Sequence, residues 1–127
     1  MDKNKFIKII LKIDAFLKFV AICTFTFLSN LTWAEGRADH FTVKYVRADR
    51  SGKGYVVFDK PLANSPATCG TSHKSHLAFN TNTPGGQAIL SLALTAHSTG
   101  KRIQAYGTGN CPTYGSVEDW NWGFIVK

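Results

Sequence analysis

Apolar and polar residues alternate along much of the chain, and this pattern predicts a domain built mainly from short strands. In the stretch "HFTVKYVRADR", Phe41, Val43 and Tyr45 fall on one side of an extended chain, which is typical of a half-buried strand. The turn at residues 51–54 contains two glycines and separates this strand from "YVVFD", so the two strands are predicted to form a hairpin. Residues 76–81, "HLAFNT", form the third predicted strand.

Between Thr83 and Gly100 the pattern changes to that of a helix. Thr83 is the predicted N-cap, Pro84 suits the first helical position, and Gly100 suits the C-terminal cap. At about 100° per residue, the polar side chains fall within an arc of roughly 80°, and they are Gln87, Ser91, Thr95 and Ser98. A helix that rests on one sheet needs an apolar stripe of only about 100°, so this helix is predicted to be covered on two sides.

The second cover of this helix can come from another copy of the chain or from the chain itself. A neighbouring subunit is the favoured interpretation, and the oligomer-facing residues are then Ile89, Leu90, Ala93, Leu94 and His97. The alternative is a tightly wrapped monomer in which the loop at residues 60–75 covers that side. His97 lies on the apolar side, which fits a core or interface histidine better than a general base.

Two more strands are predicted after the helix, "RIQAYG" and "EDWNWGFIVK". In the second of them Trp120, Trp122, Phe124 and Val126 fall on one face, which predicts that this face belongs to the core. The order is therefore strand, strand, strand, helix, strand, strand. This order predicts a mainly β fold with one helix, in the form of an OB-fold-like small antiparallel barrel.

Residues 1–34 have the pattern of a secretory signal peptide. Five lysines precede the apolar run Phe19–Leu28, and Thr32 and Ala34 are the small residues of a cleavage site. The apolar run is too short to span a bilayer as a helix, although the amphipathic "FIKIILKI" leaves an uncleaved membrane-surface anchor as the alternative. Cleavage after Ala34 predicts a single secreted or periplasmic domain at residues 35–127, with no membrane span.

The charge of the chain weakens a nucleic-acid interpretation. The formal net charge is +7. The leader contributes +3, from five lysines against two aspartates, and the predicted domain contributes +4, from ten basic residues against six acidic ones. Part of the basic character therefore belongs to export, and no nucleic-acid partner is predicted. A mildly basic domain suits an anionic surface without identifying one.

The cysteines predict a disulfide. Cys23 lies in the leader, which leaves Cys69 and Cys111 as an even pair in a chain bound for an oxidising compartment. A bond between them would close a loop of about 43 residues and contribute roughly 4 kcal/mol in the chain-entropy model. Free thiols or a metal site are the alternatives, but two cysteines without CxxC spacing make a poor zinc site.

The segment "YGTGNC", residues 106–111, contains a glycine turn of the kind that sometimes cradles a phosphate. Such a turn works because a helix begins directly after it and directs free N–H groups at the anion. Here Pro112 and more loop follow instead. The turn is therefore predicted to redirect the backbone so that Cys111 can meet Cys69.

The remaining candidates for chemistry do not predict an enzyme. His73 and His76 have His-x-x-His spacing, but no third ligand is evident, so no metal site is predicted and exposed loop histidines are favoured. Glu118 and Asp119 are neighbours in a predicted strand and would point to opposite faces, which does not suit an acid and base pair. No nucleophile elbow is present. The predicted protein is non-enzymatic and needs no cofactor.

Aromatic and short polar residues predict a binding site instead. Tyr114 lies on a loop with Asn110 and Thr113 nearby, and Trp120 begins the last strand. An aromatic ring beside short polar side chains can recognise a sugar through its apolar face and neighbouring hydrogen bonds. These four residues are therefore the predicted ligand-binding residues, with an ordinary loop tyrosine and a core tryptophan as the alternatives.

The block "GGQAILSLALTAHSTGKRIQAYGTGNC", residues 85–111, resembles a group of short exported bacterial proteins. That group is in turn similar to the B subunits of AB5 toxins of the subtilase-cytotoxin and pertussis-like type. The resemblance covers residues 54–126 and is best over residues 88–111. It implies an OB-fold, a homopentamer whose helices line a central pore, a cell-surface glycan or glycoprotein as receptor, and a separate catalytic chain as a possible partner. The alternative function is that of a monomeric exported protein that binds or inhibits another protein.

Overall fold

The computed structural model describes residues 2–26, 35–64 and 67–127, and the chain divides into two units. The first unit, Met1–Thr32, contains helix α1 (Lys3–Thr26). Among the described residues, no helix has the length and apolar character that crossing a membrane requires. The predicted cleavage junction after Ala34 borders residues 27–34, which lie outside the described residues, so cleavage stays a prediction.

In its described part, the second unit, Trp33–Lys127, contains six strands, one long helix and a short 3₁₀ turn at Thr68–Gly70. The strands form two antiparallel sheets of three strands each, in the orders β1–β5–β6 and β2–β3–β4. In chain order the elements are β1 (Arg37–Phe41), β2 (Val43–Ala48), β3 (Lys53–Phe58), β4 (His76–Asn80), α2 (Pro84–Thr99), β5 (Ile103–Gly107) and β6 (Trp120–Ile125).

The predicted fold class is confirmed as mainly β, but the predicted order is corrected in one place. The first predicted strand divides at Thr42 into β1 and β2, which belong to different sheets. Thr42 donates its N–H to the Asp59 carboxylate and accepts the N–H of Asp59 with its carbonyl, both at 3.0 Å. The described order is thus helix, four strands, helix, two strands.

The two sheets do not close into a barrel. Besides the Thr42 link, one parallel bridge joins them among the described residues, between Ala78 of β4 and Asp119, the residue before β6. The predicted small antiparallel barrel is therefore corrected to two small sheets that are not closed into a barrel. The main core lies between the sheets and α2, and its largest completely buried apolar side chains are Phe58, Leu77, Ile103 and Val56.

A bulge in β2 reverses the predicted side of Tyr45. Val43 pairs with Phe58 and Tyr45 pairs with Val57, so an extra residue is inserted into β2. Such an insertion changes the phase of alternation along a strand. Val43 is buried, but Tyr45 is 50% exposed and Val46 packs against the core instead. The predicted placement of Tyr45 beside Val43 is therefore wrong.

A second bulge separates the tryptophans of β6. Tyr106 pairs with Trp122 while the next residue, Gly107, pairs with Trp120, so Asn121 is the extra residue. Trp120 is 5% exposed and belongs to the core, whereas Trp122 is 50% exposed. The prediction that both indoles share the core face is wrong, because the bulge turns them to opposite faces.

The ends of helix α2 are as predicted. The Thr83 hydroxyl accepts the N–H of Gly86 at 3.1 Å, Pro84 occupies the first helical position, and Gly100 caps the helix in the left-handed conformation with φ of 67°. Gly86 lies so close to β4 that a Cβ there would be 1.8 Å from the carbonyl oxygen of Asn80. This contact sets the helix against the end of that strand.

Helix α2 is covered on one side by its own chain, and its flanks are partly open. Ala93 and Ala96 are buried in the core, while Ile89, Leu90 and Leu92 are half-buried against it. Leu94 is 49% exposed and Ala88 is also exposed. The chain itself therefore buries one side of α2 and leaves Ala88 and Leu94 on its flanks exposed.

Candidate ligand-binding cavity

The predicted disulfide is confirmed. Cys69 and Cys111 are bonded, with Cα atoms 6.1 Å apart, so they are neither free thiols nor metal ligands. The bond joins the short turn Thr68–Gly70 to the loop that follows β5. It therefore fixes one wall of the region in which the predicted ligand-binding residues lie.

The glycine turn that follows β5 does hold an anion, and this anion belongs to the chain itself. The Glu118 carboxylate is completely buried and accepts the N–H of Gly109 at 2.8 Å, of Gly36 at 2.9 Å and of Ala67 at 3.2 Å. A Cβ at Gly107 would lie 1.9 Å from this carboxylate. This role of Glu118 was not predicted from the sequence, although an acidic residue a short distance after a glycine turn was a signal for it.

A cavity of about 460 Å³ opens between the start of α2, the end of β4 and the loop after the disulfide. Its apolar walls include Phe79, Ile89 and Trp120. Its polar lining combines donors and acceptors, and these residues are Lys53, Asn80, Thr83, Thr113, Asp119 and Asn121. A concave site with an apolar wall and a few converging polar groups is typical of small-ligand binding.

Asp119 is the carboxylate of this cavity. Its two oxygens accept the N–H of Thr113 at 3.1 Å and the hydroxyl of Thr113 at 2.6 Å. Burial raises the pKa of Asp119, while the hydrogen bonds from Thr113 act in the opposite direction. Asp119 is thus a positioned acceptor, and Thr113 is buried because it holds this carboxylate.

Trp120 supplies an apolar wall of the cavity. Its indole Nε1 is buried and has no hydrogen-bond partner among the residues that the structure describes. Buried polar groups in folded proteins are nearly always paired, so an unpaired indole N–H is costly. The ring is nearly buried, and its role beside a ligand stays a prediction.

Tyr114 stands beside the cavity and is held by other groups. Its hydroxyl donates a short hydrogen bond to Asp49, and its ring lies edge-on to Tyr55 with centroids 5.8 Å apart. Lys53 places its Nζ 6.0 Å from the Tyr114 ring centre. Burial, together with the hydrogen bond to Asp49, raises the pKa of Tyr114 to about 12. Tyr114 therefore links the loop to the β2–β3 hairpin and does not line the cavity.

Asn110 also lies outside the cavity lining. Its carbonyl accepts the N–H of Asp119 at 2.8 Å, and its side-chain amide donates to the carbonyl of Thr108 at 3.3 Å. Of the four predicted ligand-binding residues, the structure therefore brings Thr113 and Trp120 together in the cavity. The sequence analysis did not single out Lys53, Asn80 or Asn121 for this site, because residues from three separate elements converge there.

A second feature is an apolar band that crosses from α2 to β6. A cleft of about 340 Å³ separates the two elements and is lined by Ala88, Leu92 and Trp122 among others. Beyond it the Trp122 ring stacks on Tyr106 with centroids 4.2 Å apart, and Phe124 follows at 6.2 Å from Trp122. Trp122 is 50% exposed and Phe124 45% exposed. We call Ala88, Leu92, Tyr106, Trp122 and Phe124 the apolar band.

The predicted oligomer-facing residues of α2 divide between the core and the other flank. Ala93 is fully buried by its own chain and is not available to a second copy. His97 is exposed, and its Nδ1 donates to the carbonyl of Val43 at 3.1 Å, which ties α2 to β2. Ile89 and Leu90 are half-buried, and Leu94, at 49%, is the most exposed of the four predicted oligomer-facing apolar residues.

His73 of the loop and His76, the first residue of β4, form a pair. His73 and His76 have ring centres 5.1 Å apart, and His73 Nδ1 donates to the carbonyl of Ser116 at 3.0 Å. Burial, followed by the neighbouring His73, lowers the pKa of His76. Within the described ranges no group of three or more potential ligands could hold a metal ion.

No protein-family model, curated protein or solved structure matches the chain. The cavity around Asp119 and Trp120, the apolar band and the open flanks of α2 are therefore the features of the chain that bear on its function.

Proposed function

We propose that residues 35–127 form an exported, non-enzymatic binding subunit that recognises a glycan or glycoprotein of a cell surface. In this proposal several copies assemble into a homo-oligomeric ring, so that weak sites on one face act together through avidity. The observation that carries the proposal is the cavity whose lining combines polar side chains with the apolar ring of Trp120.

The composition of this cavity suits a sugar. Sugar hydroxyl groups both donate and accept hydrogen bonds, and the C–H face of the ring is apolar. Asp119 offers an acceptor, Lys53 a donor and Asn121 both, while Trp120 and Ile89 supply an apolar wall. This combination supports a neutral or weakly charged saccharide over a fully apolar ligand.

The positions of the two carboxylates support binding over catalysis. Glu118 is completely buried among backbone N–H groups, and both oxygens of Asp119 accept from Thr113. A general acid or base needs a carboxyl group within reach of a reacting proton. Only Asp119 borders the cavity, so a pair of catalytic carboxylates has no support there.

The order of strand neighbours supports an OB-like architecture as part of the same proposal. β1 and β2 follow each other across Thr42, and each belongs to a different sheet. The parallel bridge between Ala78 and Asp119 links the opposite edges of the two sheets, where β4 and β6 are the outer strands. An OB-fold is a five-stranded, partly open barrel, and it would have these neighbours if β1 and β2 counted as one bent strand.

The two open flanks of α2 support assembly with further copies. The apolar band lies on the flank nearer β6, and Leu90 and Leu94 lie on the flank that His97 ties to β2. Because the two flanks differ, one flank of each copy would contact the other flank of the next copy. Such a head-to-tail contact forms a ring when the rotation from copy to copy closes on itself. A pentamer and a separate catalytic chain follow from the resemblance to toxin B subunits and belong to the proposal on that ground.

A glycan array probed with the oxidised domain tests the sugar part of the proposal. We expect binding to a defined glycan class, and we expect Asn121→Ala to weaken it by about fivefold to tenfold through the loss of one hydrogen bond. Asn110→Ala is the matched control, because Asn110 is exposed but does not line the cavity. A blank array from an oligomeric protein would reject sugar binding and leave the assembly untouched.

The second candidate is a monomeric exported protein that binds or inhibits another protein. The exposure of Trp122 and Phe124 on β6 favours it, because large exposed aromatic residues are common at protein interfaces. In that case the apolar band would meet a foreign partner instead of a second copy. A monomeric mass together with capture of a defined protein ligand would support this candidate over the ring.

A further inference from the structure

Helix α1 has two chemically different faces. At about 100° per residue, one arc of roughly 120° contains only apolar side chains over the part up to Lys18. These residues are exposed by 49 to 70%, and they are Phe6, Ile9, Ile10, Ile13, Phe16 and Leu17. A continuous apolar arc of this size on an exposed helix calls for a covering surface.

The lysines of α1 are placed unevenly around that arc. Lys5 and Lys12 line one edge, Lys3 lies at the start of the other edge, and Lys8 and Lys18 lie on the opposite side of the helix. Against these five cations stand Asp2 and Asp14, and Asp14, on the same edge as Lys3, is paired with Lys18 at 2.8 Å. The helix therefore presents an apolar face with one cationic edge and an excess of lysines over aspartates.

We propose that α1 docks the full-length chain onto an anionic membrane surface. An amphipathic helix of this kind lies in the plane of the interface, with the apolar face among the acyl chains and the lysines at the phosphate groups. The long lysine stems can follow the apolar face while their ammonium groups reach the headgroups. The charge decides the occupant, because an anionic lipid surface matches the excess of lysines over aspartates and the edge formed by Lys5 and Lys12.

The length and composition of α1 support lying on the membrane. The helix does not meet the requirements of a membrane span, so it would bind reversibly at the surface. The contact is a property of the chain that still carries residues 3–18. It does not depend on the proposed ligand-binding function, whose residues all lie in the second unit.

Binding of the full chain to lipid vesicles tests the proposal. Vesicles of phosphatidylcholine with phosphatidylglycerol should sediment the protein, vesicles of phosphatidylcholine alone should not, and added salt should release it. Circular dichroism should record the same helix content for bound Ile13→Glu and Leu11→Glu, the two variants compared below, as for the bound wild type. Failure to bind the anionic vesicles, or equal binding to both kinds, would overturn the proposal.

A matched pair of substitutions distinguishes the apolar arc from general charge. Ile13 lies at the centre of the arc, whereas Leu11 lies among the lysines, and both are well exposed. Ile13→Glu should weaken vesicle binding by tenfold or more, on the order of the loss expected for a charge placed in the apolar face. Leu11→Glu adds the same charge and should retain most of the binding. Equal losses in the two variants would overturn the proposed orientation.

Discussion

The Glu118 carboxylate accepts the backbone N–H of Gly109 at 2.8 Å, and this bond attaches the glycine turn to a completely buried side chain. The same carboxylate accepts the N–H of Ala67. Ala67 lies two residues before Cys69, and Gly109 lies two residues before Cys111. Glu118 therefore binds the segments that precede both cysteines of the disulfide. The glycine turn that resembles a phosphate-binding turn binds a carboxylate of its own chain instead.

Replacement of Glu118 by glutamine should destabilise the domain. The side-chain amide would present its own N–H groups to backbone N–H groups, so at least one buried donor would lose its acceptor. We expect a loss of about 1–3 kcal/mol in the free energy of unfolding, measured by urea unfolding of the oxidised protein. Glu35→Gln is the control, because Glu35 is exposed and carries the same charge. Equal stability of the two variants would contradict the role of Glu118.

Two adjacent glycines of α2 should respond in opposite ways to alanine. A Cβ at Gly86 would meet the Asn80 carbonyl oxygen at 1.8 Å, whereas a Cβ at Gly85 would have no atom within 4 Å. Gly86→Ala should cost about 1–3 kcal/mol through overpacking, and Gly85→Ala should be neutral or gain up to about 1 kcal/mol from helix propensity. Thermal unfolding of both variants measures this difference, and a stable Gly86→Ala would refute the close packing of α2 on β4.

The hydrogen bond between Tyr114 and Asp49 should be visible in a titration. This bond, followed by that from Arg47, lowers the pKa of Asp49. Because the folded pKa lies below its ordinary value, the stabilisation is present at neutral pH and is lost as the pH falls through the folded pKa. Tyr114→Phe should raise the pKa of Asp49 towards the ordinary range, as followed by NMR of the carboxyl carbon.

The exposed Tyr45 provides the control for this titration. Tyr45→Phe removes a hydroxyl from the same sheet without a hydrogen bond to Asp49 among the described contacts, so it should leave the pKa of Asp49 unchanged. An unchanged pKa in Tyr114→Phe would mean that Arg47 alone sets the ionisation of Asp49.

Local signals in the sequence predicted much of the fold. The helix caps are as predicted at Thr83 and Gly100, because a cap depends on residues next to the helix end. The disulfide is as predicted because, outside the leader, Cys69 has only Cys111 as a partner. The sides of Tyr45 and Trp122 could not be predicted by alternation, since a single inserted residue reverses the phase and alternation does not reveal where a bulge falls.

The cavity was only half predictable for a different reason. Thr113 was predicted because it lies next to Tyr114 on the same loop, and Trp120 because it stands at the start of the last strand. Lys53 and Asn80 reach the same cavity from strands far away along the chain, and only the pairing of β3 with β4 brings them there. The role of Glu118 was hidden likewise, because two of its three partners, Gly36 and Ala67, come from distant segments of the chain.

The central claim is that the open flanks of α2 are covered by further copies of the chain, and native mass spectrometry of residues 35–127 tests it most directly. The core lies entirely within these residues, so this part has the elements needed to fold alone. We expect a closed oligomer for the wild type, a monomer for Leu94→Glu, and an intact oligomer for Ser91→Glu, which adds the same charge on the polar arc. A folded, disulfide-bonded wild type that stays monomeric at micromolar concentration would contradict the account.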